Sequence, residues 1–137
     1  MIEDLLEYLI SLTGFFEVSM QLNILGEPLE PCCFEPLTGW LRNGFCDVHQ
    51  DDAGMHHVCV EVSAAFLEFS KEKGNDLTTS NEYFPGLKPG DKWCLCTNRW
   101  LEAFKEDMAP KIHIRSTSID VLNYIPLPIL QQMACDV

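Results

Sequence analysis

An α+β fold is what the sequence predicts: a single domain on a small, mostly antiparallel sheet, with several short helices and long irregular loops. Three observations predict it. A chain of 137 residues can enclose one ordinary core and is short for two. Strand-like and helix-like segments mix without the strict strand–helix–strand repetition that builds a parallel sheet. Turn-forming Gly, Pro, Asn and Asp crowd two long stretches, from Gly26 to Asp52 and from Gly74 to Asp91.

The elements follow in order. Ile2, Leu5, Leu6, Leu9 and Ile10 recur at helical spacing with Glu3, Asp4 and Glu7 between them, which predicts an amphipathic helix ending near Thr13-Gly14. This acidic extension, residues 1–22, precedes a cysteine-rich domain, residues 23–137, and is expected to be dispensable for folding. Its apolar stripe suits packing on its own domain or on a homodimer mate better than on a foreign partner. VSMQLNIL, residues 18–25, alternates weakly as a strand does. HHVCVEV, residues 56–62, reads as a strand. Ser63 then caps AAFLEFSKEKG, in which Phe66, Leu67 and Phe69 face inward and Gly74 ends the helix. Gly90-Asp91 launches the strand KWCLC, and Thr97 or Asn98 caps RWLEAFKEDM. KIHIRST alternates as a strand, and SIDVLNYI and PLPILQQMA give two short closing helices.

Charge excludes whole classes of partner. The formal net charge is −12 and the first basic residue is Arg42, so seven acids precede any opposing charge. Nucleic acids and anionic membranes both select basic surfaces, and neither is expected as a partner. The apolar run from Tyr8 to Phe16 falls well short of the ~20 residues that span a bilayer, and no basic leader precedes it. A soluble, cytoplasmic protein is expected. Seven cysteines are an odd number, and thiols stay reduced in the cytosol, so a disulfide framework is disfavoured and metal or thiol chemistry is favoured in its place.

That chemistry centres on GDKWCLCTNRW, residues 90–100. In a strand, Cys94 and Cys96 project to one face and Trp93 and Leu95 to the other. Cys32, Cys46, Cys59, Cys94 and Cys96 are the candidate metal ligands, with zinc the cation such thiolates take. C-x-C is an uncommon zinc spacing, and on a strand His56 and Cys59 point to opposite faces, which counts against a simple four-ligand site. As a reactive thiol Cys96 stands out, since Arg99 and the start of the next helix favour its thiolate. A catalytic arrangement would pair a cysteine with His56, oriented by Asp52 or Asp76. Against all of these stands the plain alternative that buried free cysteines pack as small hydrophobes. Arg42, Asp76 and Arg99 are the candidate ligand-binding residues. An arginine in a glycine turn more often ties loops through backbone carbonyls, and Asn75-Asp76 suits an Asx-type turn. Trp93 and Trp100 are expected in the core with their indole N–H groups bonded to loops.

PCCFEPLTGWLRNGFC, DDAGMHHVC, GNDL, FPGLKPGDKWCLCTNRWLEAF and APKIHI, in that order, resemble a bacterial and plant family known only as domain of unknown function two-two-three-seven. The resemblance runs from about Leu25 to the C-terminus. It implies membership and no activity. Among the positions it implicates are Cys32, Arg42, Cys46, Asp52, Gly54, His56, Cys59, Asp76, Trp93, Cys94, Cys96 and Arg99, whereas Cys33 and His57 depart from its pattern. Two functions stay open. One is a small binding or structural module with a thiol-rich cleft, zinc-stabilised or not, for an unidentified small molecule. The other is a cysteine- or His/Asp-dependent enzyme acting between the 26–52 loop and the WCLC strand. On either reading the loop is expected against that strand, with Arg42, Cys46, His56 and Cys94 or Cys96 around one concavity.

Overall fold

The computed structural model describes residues 21–137. The amphipathic helix expected near the start, and the homodimer contact assigned to it, lie outside the described residues. Three strands, β1 (Val58–Glu61), β2 (Lys92–Leu95) and β3 (Lys111–Ile112), form an antiparallel sheet in the order β2-β1-β3. β1 is central because it is apolar on both faces: Val58, Cys59 and Val60 are fully buried. Its register sets Cys59 opposite Cys94 and Val60 opposite Trp93, which brings two distant sequence motifs side by side.

Helix α1 (Ala64–Glu72) starts where expected, with the Ser63 hydroxyl accepting a hydrogen bond from the Phe66 N–H at 3.1 Å. It buries Phe66, Leu67 and Phe69, and beyond it Gly74 takes φ +91°. Helix α2 (Thr97–Lys105) starts differently from expectation. Cys96 occupies the capping position without a side-chain cap, and Thr97 lies inside the helix, fully buried, its hydroxyl donating to the Met55 carbonyl at 3.0 Å. That hydroxyl fastens α2 to the segment leading into β1 instead of capping its own helix. Trp100 is fully buried, and its indole N–H donates to the Pro110 carbonyl at 3.1 Å.

Two expected strands are shortened. Over residues 21–25 only isolated bridges form, Leu22 with Pro28 and Asn23 with Ser118. The buried Asn23 carboxamide accepts from the Leu25 and Glu27 N–H groups and turns the chain. β3 stops at Ile112 because the Asp136 carboxylate takes the N–H groups of Ile114 (2.7 Å) and Arg115 (3.0 Å), which a longer strand would offer to a neighbour. The chain instead forms a 3-10 turn over Ile114–Ser116, a second over Ile119–Asn123 and the closing helix α3 (Leu127–Met133).

The main core gathers Val58, Val60, Phe66, Leu95, Trp100, Ile112, Ile114, Val121, Ile125 and Leu130. A separate buried cluster holds Cys32, Cys46, Cys59 and Cys94. Contrary to the expectation of reduced thiols, these close two disulfides, Cys32–Cys59 and Cys46–Cys94. Each joins the 26–52 loop to a sheet strand. That explains how a stretch with almost no ladder of its own lies fixed in a compact domain. The loop is fastened again where the Cys94 N–H donates to the hydroxyl of the fully buried Thr38 at 2.9 Å. Among the described residues no helix is long and apolar enough to cross a membrane.

Candidate functional site

Between the 26–52 loop and β2 lies a cavity of about 270 Å³, walled by Trp40, Arg42, His56, Asp76, Phe84 and Trp93, with Cys94 at its edge. Three chain segments meet β2 there. The loop delivers Trp40 and Arg42 on a tight turn. Gly39 sits at φ +97°, and a Cβ on it would come 2.4 Å from the Phe45 carbonyl oxygen, so no larger residue fits that turn unchanged. Arg42 itself takes φ +53°. Its Nη1 donates to the Gly39 carbonyl at 2.7 Å and its guanidinium carbon lies 5.0 Å from the Trp93 ring centroid. The loop-tying role read from the sequence and a place at the cavity wall therefore coincide in one side chain.

The second segment brings His56. Asp52, its side chain fully buried, accepts from the His56 backbone N–H at 2.9 Å and faces its Nδ1 at 2.6 Å. An ionised carboxylate only accepts, so the neutral imidazole must carry its proton on Nδ1 and leave Nε2 as a free base; this tautomer is inferred from the partners. Trp40 stacks on the other side of the ring, with centroids 5.9 Å apart and planes 19° from parallel. Gly54 makes the approach possible, since a Cβ there would lie 2.6 Å from His56 Cε1. A carboxylate, an indole and a glycine thus fix one imidazole at the cavity wall.

The third segment follows α1. The Thr79 and Thr78 hydroxyls, with the Thr78 backbone N–H, hold the exposed Asp76 carboxyl well below the usual carboxylate range. Asp76 is thereby an ionised anchor of its own turn, as an Asx-type reading implies.

The remaining candidates divide. Arg99 does not line this cavity; its Nη1 donates to the Lys73 carbonyl and to Glu102, both at 3.2 Å. Cys96 is part-exposed at the start of α2, outside both the cavity wall and the four-sulfur cluster, because β2 ends at Leu95 and the strand alternation ends with it. Cys32, Cys46, Cys59 and Cys94 converge with each side chain almost wholly inaccessible. The cysteine with an imidazole neighbour is Cys135, whose Sγ is 3.4 Å from His113 Nε2. Burial, then the charges of Glu61 and Asp136, push that thiol up, away from the thiolate a nucleophile needs.

One residue discounted in the sequence lies against the Asp52 carboxylate that holds His56. His57 is buried directly behind the site, Nε2 3.8 Å from Asp52 and Nδ1 3.2 Å from Asp120. Neither nitrogen has an aligned hydrogen bond among the described residues, so the Asp120 approach is an ion-pair distance and not a directional bond. Burial lowers the pKa of His57, against the opposing pull of Asp120 and Asp52. The only sequence signal for it was its place beside His56.

A family model described as an uncharacterized protein conserved in bacteria, DUF2237, matches residues 22–134. No curated protein matches the sequence.

Proposed function

We propose, for a chain that belongs to the uncharacterized bacterial family DUF2237, that the cavity binds a small planar anion and that His56, on taking a solvent proton at Nε2, donates a hydrogen bond to it. The observation that carries this is the Asp52–His56 pair: a fully buried carboxylate holding the Nδ1 side of a part-exposed imidazole at a cavity wall. A structural histidine is usually enclosed, as His57 is; this one is held rigidly by one nitrogen and left open at the other. Arg42 and, once it has taken a proton at Nε2, His56 are the side chains on the wall that can offer positive charge to an anion. The Asp76 carboxylate is already occupied by its own threonines. Trp40, Phe84 and Trp93 supply flat apolar walls. At about 270 Å³ the space is below the ~300 Å³ where drug-sized sites begin, so the ligand is small, of the aryl or heteroaryl carboxylate class.

In this reading Arg42 holds the carboxylate and the rings stack on the organic part, while His56 takes a proton from solvent at Nε2 as the anion binds and donates that N–H to the carboxylate, with Asp52 accepting from Nδ1 on the other side. The cysteines frame the site and take no part in the chemistry. The test is ligand-observed NMR with a panel of benzoate and pyridine carboxylates. Binding is expected, and Arg42→Ala or His56→Ala should weaken it roughly 10- to 100-fold, as loss of a charge-assisted hydrogen bond does, while Glu82→Gln on an exposed turn should leave it unchanged. Binding that survives both cavity variants would place the ligand elsewhere and refute the assignment.

A further inference from the structure

Two structural disulfides have no reason to touch one another, yet these two do. The Sγ atoms of Cys32, Cys46 and Cys59 all lie within 4.8 Å of one another, and Cys94 is bonded to Cys46. Two of the four come from facing positions on β1 and β2, and two from the loop that crosses them. Each disulfide alone would fasten that loop. Three sulfurs gathered this closely, with a fourth bonded to one of them, supply the ligand set that a tetrahedral metal site requires.

We propose that these four cysteines are a convertible site: reduced, they bind one zinc ion as a tetrathiolate; oxidised and metal-free, they form the two disulfides seen here. The geometry is close in both states. With Zn–S near 2.3 Å, the sulfurs of a tetrahedral site stand about 3.8 Å apart, and those of Cys32, Cys46 and Cys59 already lie within 4.8 Å of one another. Cys96, Cys33 and Cys135 lie outside the cluster and are not ligands. Conversion balances with a low-molecular-weight thiol as reductant. Each disulfide is reduced by two thiol molecules, which leave joined as one disulfide. The four protein thiols then release four protons as they bind one Zn²⁺.

The experiment uses the full chain, reduced anaerobically with excess thiol-free phosphine, freed of reductant and titrated with zinc chloride. Native mass spectrometry counts bound metal, and circular dichroism follows folding. About one zinc per chain is expected, with a higher melting temperature than the reduced, metal-free chain. The same stoichiometry is expected in Cys33→Ser/Cys96→Ser/Cys135→Ser, and none in Cys32→Ser/Cys46→Ser. If the reduced chain unfolds, zinc should refold it. Three results would each overturn the proposal: a reduced, folded chain that takes no zinc; a reduced, unfolded chain that zinc does not refold; or zinc retained by the Cys32→Ser/Cys46→Ser variant.

Discussion

Gly54 shows how much of the site hangs on single atoms. Its hydrogen faces the His56 ring where a methyl group would lie 2.6 Å from Cε1, and that ring cannot swing clear because Asp52 holds one side and Trp40 covers another. Gly54→Ala should therefore displace the imidazole. We expect altered tryptophan fluorescence and loss of aryl carboxylate binding, with melting changed far less than by a core truncation; unchanged binding would mean that His56 is not held as described. His57, behind the same carboxylate, sets a pH dependence. Its folded pKa lies below the ordinary 6.5, so above that pH the ring is neutral in both folded and unfolded chains and has no effect. As pH falls below 6.5 the unfolded chain takes up the proton first, and stability is lost down to the lowered folded value, at up to about 1.4 kcal/mol per pH unit. Urea unfolding of wild type and His57→Gln at several pH values between about 7.5 and 5 should show the wild type losing this component and the variant lacking it. At this scale the sequence was half legible. His56, Asp52 and Arg42 could be named from residue type and motif. Which carboxylate would face His56 could not, since Asp52 and Asp76 were equally available, and His57 gave no sign of being buried between two acids.

At the scale of elements, local rules were the readable part. Ser63 capped its helix as its residue type requires, and Ser63→Ala should cost about 1 kcal/mol in chemical unfolding with the fold retained. Where a long-range partner intervened, local reading failed. Asp136 truncated the strand expected over 111–117 from more than twenty residues away in sequence, and the carbonyl of Met55 drew Thr97 out of a capping role. The disulfides belong here too. They were disfavoured from an expected compartment, whereas their formation depends on Cys59 and Cys94 facing each other across β1 and β2, which pairing alone decides. They close chain separations of 27 and 48 residues. In the chain-entropy model each contributes about 3 to 4 kcal/mol to the oxidised protein. Cys46→Ala/Cys94→Ala, kept oxidised at Cys32–Cys59, should lose that much and loosen the wall that carries Trp40 and Arg42. A loss well under 1 kcal/mol would show that the loop is held mainly by contacts such as Thr38 with Cys94.

Over the whole molecule, two buried centres with different tasks share one loop: the sulfur cluster fixes the 26–52 segment to the sheet, and that fixed segment presents Trp40 and Arg42 to His56. The α+β class and small antiparallel sheet followed from composition and alternation, because those depend on patterns spread along the chain. The cavity was legible in part: Arg42, His56 and Cys94 were expected around it and line it, whereas Cys46 lies in the sulfur cluster, and Trp40, Asp76 and Phe84 join the wall from segments that only the folded sheet brings together. A chain of net charge −12 repels anions at long range, so affinity for one must come from the short-range contacts of Arg42 and His56 and should weaken little with added salt. The measurement that tests this account most directly is a two-dimensional NMR titration of histidine- and tryptophan-labelled protein with benzoate. The account predicts that the largest shifts fall on His56, Trp40 and Trp93 while Trp100 and His113 stay in place. Shifts spread evenly over the surface, or centred on His113, would contradict it.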